Sequence, residues 1–186
     1  DLAVEKNPEN RFKKVLEDYR PDLVGFGGFS SQFRTNRLLA GICKHILPEA
    51  VTCLGGIHSS SAPADCKYPQ LFDFIVRGDG VSALKTVIET MVNGDPLPES
   101  ETILPTASPN FDRLAEGPPP PLHPDGINTK PRRDLVDMSN YFCICYGQPG
   151  EKMESLFPET ACVRTSVGCP NRCSFCVVHF LANGKY

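Results

Sequence analysis

The stretch "DLVGFGG", Asp22 to Gly28, decides the fold of this chain. Leu23, Val24 and Phe26 form a short apolar run that closes on glycines, the pattern of a fully buried strand. On its amino side, Asn7-Pro8-Glu9 marks a helix start, with Asn7 as N-cap and Pro8 at the first helical position. Phe12, Val15, Leu16 and Tyr19 then recur at helical spacing and predict an inward face, and Pro21 stops the helix at Arg20. On the carboxyl side a second helix is predicted over 33–46, with Phe33, Leu38, Leu39, Ile42 and Ile46 inward. "VTCLGG" from Val51 repeats the strand-then-glycine pattern, and "DFIVRGDG" from Asp73 supplies a third strand. Val81, Leu84, Val87, Ile88, Met91 and Val92 mark one more amphipathic helix, ending at Gly94. Strands alternating with helices imply parallel strands and crossover helices on both faces. The fold class is therefore α/β, a doubly wound parallel sheet.

Sheets of this kind usually carry about five strands, so Asp1-Leu2 reads as the tail of an earlier one. On that reading the first strand and helix are missing from residues 1–94. From Asp95 to Glu159 prolines crowd the sequence and periodicity is lost, which predicts a linker over 95–159, stiffest at Pro118 to Pro121. "TACVRTS" from Thr160 alternates again and reads as a strand, so a second, incomplete domain is placed at 160–186.

A formal charge of −3 with scattered Lys and Arg argues against a nucleic-acid partner. No apolar run approaches the ~20 residues of a membrane span, and the first residues lack the apolar core of a signal peptide. Nine cysteines, an odd number, do not suggest a disulfide framework. Cys43 and Cys53 lie in apolar runs, where a thiol acts as a small hydrophobe, and a reducing cytoplasm is expected.

Three cysteines stand apart. Cys169-x3-Cys173-x2-Cys176 places three thiols within eight residues, directly after the strand at Thr160. A structural zinc site wants four ligands, which His179 could complete. A [4Fe–4S] cluster held by three thiolates would instead leave one iron open to a small molecule. Gly168 and Pro170 bend the backbone around the first thiol, and Phe175 precedes the last.

"CPNRCSFC" after a strand resembles the CxxxCxΦC signature of the radical S-adenosylmethionine superfamily, with Phe175 at the aromatic position. The resemblance implies that Cys169, Cys173 and Cys176 hold a [4Fe–4S] cluster at the first loop of a partial (β/α) barrel. It further implies that the open iron binds S-adenosylmethionine, whose reductive cleavage gives a 5′-deoxyadenosyl radical. An electron donor such as a flavodoxin or ferredoxin is implied as well.

In an open α/β sheet the loops at the carboxyl ends of the strands form the binding crevice. Here they read "GGFSSQ" from Gly27, "GGIHSSSAP" from Gly55 and "RGDG" from Arg77, combining glycines with the hydroxyls of Ser30, Ser31, Ser59, Ser60 and Ser61. Ordinary turns with helix caps read the same way, and neither GxxxxGK[ST] nor GxGxxG occurs. "PDLVGFGGFSSQ", "CLGGIHSSSAP", "DFIVRGDG" and, later, "RRDLVDMSNY" from Arg132 are similar to successive segments of cobalamin-dependent radical enzymes. That resemblance implies a Rossmann-like cobalamin-binding domain, with Ser30, Ser31, Gly55, Gly56, His58, Ser59 and Gly78 around the cofactor. It also implies methyl transfer to, or cyclisation or rearrangement at, an unactivated carbon of a small-molecule substrate. A carrier module with a structural zinc site is the non-catalytic alternative. His58 could be a metal ligand but is expected instead to bond a backbone group or a cofactor amide, Asp79 to cap the following helix, and His45 to be solvated.

Overall fold

A computed structural model describes residues 5–121, 130, 132–135 and 168–182. Helix α1 (Pro8–Tyr19) opens with the Asn7 side chain accepting the Asn10 N–H at 3.4 Å, and closes where Arg20 turns left-handed at φ 47°. After it come β1 (Leu23–Gly27), α2 (Phe33–Ile46), β2 (Val51–Gly55), α3 (Ile57–Ser61), β3 (Phe74–Val76), α4 (Gly80–Asn93), β4 (Ile103–Pro105), α5 (Phe111–Ala115) and α6 (Val178–Leu181). The sheet order is β1-β2-β3-β4; β1, β2 and β3 are parallel, and β4 runs antiparallel to β3.

Pairing places like neighbours on like faces, because successive strand residues point to opposite sides. Phe26 lies beside Leu54, Leu54 beside Ile75 and Ile75 opposite Leu104, and this row packs against residues of α1, α2 and α5. Cys53 beside Phe74 and Val76 opposite Ile103 face the other way, onto Ala83 and Val87 of α4. Helices thus cover both faces of a four-stranded, mostly parallel, Rossmann-like sheet. At its amino edge one oxygen of Asp73 accepts the Thr52 N–H at 2.7 Å, the Thr52 hydroxyl at 3.0 Å and the Lys44 ammonium at 2.7 Å, tying α2 to β2 and β3.

The inward faces are narrower than periodicity predicts. Leu16 is buried and Phe12 packs on the core, whereas Val15 and Tyr19 are exposed, because α1 lies against α2 at the margin of its layer. Leu38 is exposed on α2, and Ala40 and Cys43 take inward places beside Leu39. On α4 only Ala83 and Val87 bury fully; Val81, Ile88 and Val92 point away, since among the described residues α4 is the one helix packed in that cluster.

A larger correction concerns the proline-rich segment. Residues 103–115 belong to the sheet and its core: Leu104 and Phe111 are wholly buried, and the Thr106 hydroxyl donates to the Phe72 carbonyl. Packing therefore continues past residue 94 to the buried Pro119. Pro105 ends β4, the edge strand, where a missing N–H is tolerated. Residues 122–129, 131 and 136–167, which include about half of the expected linker and the strand at Thr160, lie outside the described residues, as does Asp1-Leu2. No described helix is long and apolar enough to cross a membrane.

Candidate functional site

Because β1, β2 and β3 are parallel, their carboxyl ends bring residues 27–32, 55–63 and 77–80 to one edge of the sheet. Gly27 and Gly55 are register partners there. Gly56 follows at φ +96°, where an added Cβ would stand 2.9 Å from the Gly28 nitrogen and 3.0 Å from its oxygen. Only glycine permits that approach. The His58 N–H donates across the same gap to the Gly28 carbonyl at 3.4 Å.

The serines divide into two groups. Ser59 is wholly buried and its hydroxyl donates to the Val76 carbonyl at 2.7 Å. Ser60 donates to the Gly56 carbonyl at 2.8 Å while accepting the Gly78 N–H at 3.0 Å, and Ser61 donates to the Ile57 carbonyl at 2.8 Å. Ser59 and Ser60 fasten α3 to β3 and the loop after it while Ser61 bonds within α3 itself, so Ser59, expected among the ligand donors, has its hydroxyl turned inward. Ser30 and Ser31 remain exposed, and the Ser30 hydroxyl lies 2.9 Å from His58 Nδ1.

His58 is 7% exposed and leans on the Phe33 ring at 4.4 Å between centroids. Phe33 in turn meets Tyr68, over which Arg37 stacks at 4.1 Å. His58 Nε2 is buried and has no hydrogen-bond partner among the described residues. Which ring nitrogen donates depends on the tautomer, and in either one Nε2 faces no partner among those residues. His45 is exposed, and Asp79 accepts the Val81 N–H at 3.0 Å as the cap of α4.

Sequence reading assigned Arg77 no role, quoting it only within the third strand segment and the loop after it. It is wholly buried, and burial lowers its pKa from the ordinary guanidinium value, against the opposing charge of Glu101. Its position immediately after an apolar strand run was the available signal.

The cysteine loop lies before α6. Gly168 adopts φ +78°, and the Cys176 N–H donates to the Cys173 carbonyl at 3.0 Å, closing a turn between the second and third thiols. Cys169 and Cys176 are half-buried and Cys173 is exposed, with Phe175 beside them 90% exposed. α6 then contacts α3, so the loop adjoins the element that carries His58. Among the described residues no three His, Cys, Asp or Glu side chains converge to enclose a metal ion, and His179 does not complete such a set. The donor set suits an iron–sulfur cluster in type and number, although the thiols are not gathered into a cage. Elsewhere burial pushes the Cys53 thiol up to about 11 and Cys66 to about 12, and also raises Cys43. Those thiols stay protonated at neutral pH and serve as core. Cys143, Cys145 and Cys162 lie outside the described residues.

No protein-family model and no solved structure matches the chain. Three curated proteins are similar to it. The anaerobic magnesium-protoporphyrin IX monomethyl ester cyclase of Rubrivivax gelatinosus is 25% identical over 90% of this chain and 29% of its own length. An uncharacterised methyltransferase of Pyrococcus horikoshii is 28% identical over 88% of the chain and 33% of its own length. The cytidylyl-2-hydroxyethylphosphonate methyltransferase of Streptomyces wedmorensis is 34% identical over 36% of the chain and 13% of its own length. This chain thus spans about a third or less of the relatives it matches. All three are enzymes by name, one a cyclase and two methyltransferases.

Proposed function

We propose that the chain belongs to a cobalamin-dependent radical S-adenosylmethionine enzyme, and comprises a cobalamin-binding α/β unit and the cluster loop of a partial (β/α) barrel. The observation that carries the reading is Cys169-x3-Cys173-x2-Cys176, with Phe175 in place, on an accessible loop beside a glycine-lined crevice. Support comes from relatives that are similar over 88% and 90% of the chain.

In this reading Cys169, Cys173 and Cys176 would hold the [4Fe–4S] cluster and Phe175 would flank it. The cluster supplies one electron and an open iron for S-adenosylmethionine, and the corrin supplies a carrier for a methyl group. Gly55 would admit a large ligand to the backbone, beside the close approaches to Gly28 and Pro120 that Gly56 and Gly78 permit, while Ser30, Ser31 and His58 would provide hydrogen-bonding groups toward its amides. The unpartnered Nε2 of His58 is the feature that best fits an amide-rich ligand. Ser59 contributes by holding α3 in place. The reaction class is methyl transfer to an unactivated carbon, or ring closure or rearrangement there, on a small molecule. The electron comes from a flavodoxin- or ferredoxin-like donor in the cytoplasm.

The test uses the complete gene product, reconstituted and reduced without oxygen, given S-adenosylmethionine and assayed for 5′-deoxyadenosine. The wild type is expected to form it. Cys176→Ala is expected to form none while the α/β unit stays folded by circular dichroism. A cluster-loaded wild type that releases no 5′-deoxyadenosine would contradict the reading.

A further inference from the structure

Arg77 is fully buried, yet its hydrogen bonds among the described residues go to neutral carbonyls. Nη1 donates to Leu114 O at 2.8 Å, Nη2 donates to Gly117 O at 2.6 Å, and the buried Nε has no partner. Burying a cation against uncharged partners is unfavourable unless its donors meet well-placed acceptors. The two acceptors here lie at the end of α5 and just beyond it, where Gly117 turns left-handed at φ +72°. Farther along the same run, Pro119 is buried, and Pro120 O lies so near Gly78 that an added Cβ there would be 2.6 Å from it. Residues 114–121 therefore cross the carboxyl edge of β3 and are held at two consecutive positions, Arg77 by hydrogen bonds and Gly78 by fit.

We propose that Arg77 is a positioning residue that latches residues 114–121 across β3, making this strap one wall of the crevice and fixing where the chain leaves the α/β unit. Arginine suits the task because its planar fork reaches two separate carbonyls, while a lysine ammonium offers one donor centre. The latch stands on these contacts alone; its effect on a corrin rests on the function proposed above.

The experiment compares the complete gene product with Arg77→Met, Arg77→Lys and Gly78→Ala. Native-state cleavage after Glu116 by a glutamyl endopeptidase reads strap opening, cleavage after Glu89 in α4 reads the rest of the unit, and hydroxocobalamin titration reads the crevice. Arg77→Met and Gly78→Ala are expected to speed cleavage at Glu116 by about tenfold or more, the scale set by one lost charge-assisted hydrogen bond, with Glu89 unchanged. Arg77→Lys should fall between them and the wild type, and corrin affinity should weaken with strap opening. Unchanged cleavage at Glu116, or equal acceleration at both sites in Gly78→Ala, overturns the latch even if Arg77→Met fails to fold. An opened strap with unchanged corrin affinity overturns its role as a wall. A wild type that binds no corrin counts against the proposed function, and the cleavage rates still decide the latch.

Discussion

Ser30 and Ser59 carry the same hydroxyl to opposite duties. Ser59 Oγ fills the lone pair of a buried carbonyl at Val76, whereas Ser30 meets His58 Nδ1 from the exposed side of the crevice. Ser59→Ala should therefore cost about 1–3 kcal/mol in urea unfolding, the penalty for an unsatisfied buried acceptor. Ser30→Ala should leave stability within about 0.5 kcal/mol, as surface changes do, and weaken hydroxocobalamin binding instead. A Ser59→Ala variant as stable as the wild type would remove the distinction. In the sequence both serines sit in small, polar loops after glycines, and nothing local tells which hydroxyl turns toward a carbonyl. That choice is made by the one-turn helix α3 folding back under Val76, a tertiary contact. Gly56 was more legible, since paired glycines after an apolar run already announce a close backbone approach.

At the level of elements, β1, β2, β3 and their helices could be read from period and punctuation, and the N-caps at Asn7 and Asp79 from residue type. β4 and α5 escaped because they are three and five residues long, too short for periodicity, and sit among prolines that otherwise signal a linker. What holds that segment is burial of Leu104 and Phe111 together with side-chain bonding across its own turns. Glu99 accepts from the Ser108 hydroxyl and the Asn110 amide, each at 2.7 Å, and these bonds, the Ser108 hydroxyl foremost, lower its pKa from the ordinary 4.5. A carboxylate whose pKa is lower in the folded than in the unfolded state stabilises the fold above the unfolded value, and the contribution is lost as pH falls through the folded value. Glu99→Gln should therefore have a lower melting temperature than the wild type at neutral pH. The gap should close as pH drops below the ordinary carboxylate range. A gap that persists undiminished in acid would show that ionised Glu99 does not hold the loop.

Across the whole molecule, the cysteine triplet stood out because its three thiols lie within eight residues, where no folding is needed to see them together. The crevice was legible only as a place, the shared carboxyl edge of parallel strands. Its content, the Ser30–His58 pair stacked on Phe33, depends on loops 28 residues apart in sequence meeting through β1–β2 pairing. Arg77 illustrates the limit: a charged residue after an apolar strand reads as a solvated loop until α5 is seen to cover it. The contact between α6 and α3 brings the two legible parts together.

The measurement that bears most directly on the central claim is the metal and sulfide content of the complete gene product after anaerobic reconstitution, alongside Cys173→Ala. About four irons and four acid-labile sulfides per wild-type chain, with a brown absorbance lost in Cys173→Ala, are expected for a three-thiolate [4Fe–4S] site. About one zinc per chain with no iron and no sulfide would contradict it, and would make Cys169, Cys173 and Cys176 part of a structural zinc hook.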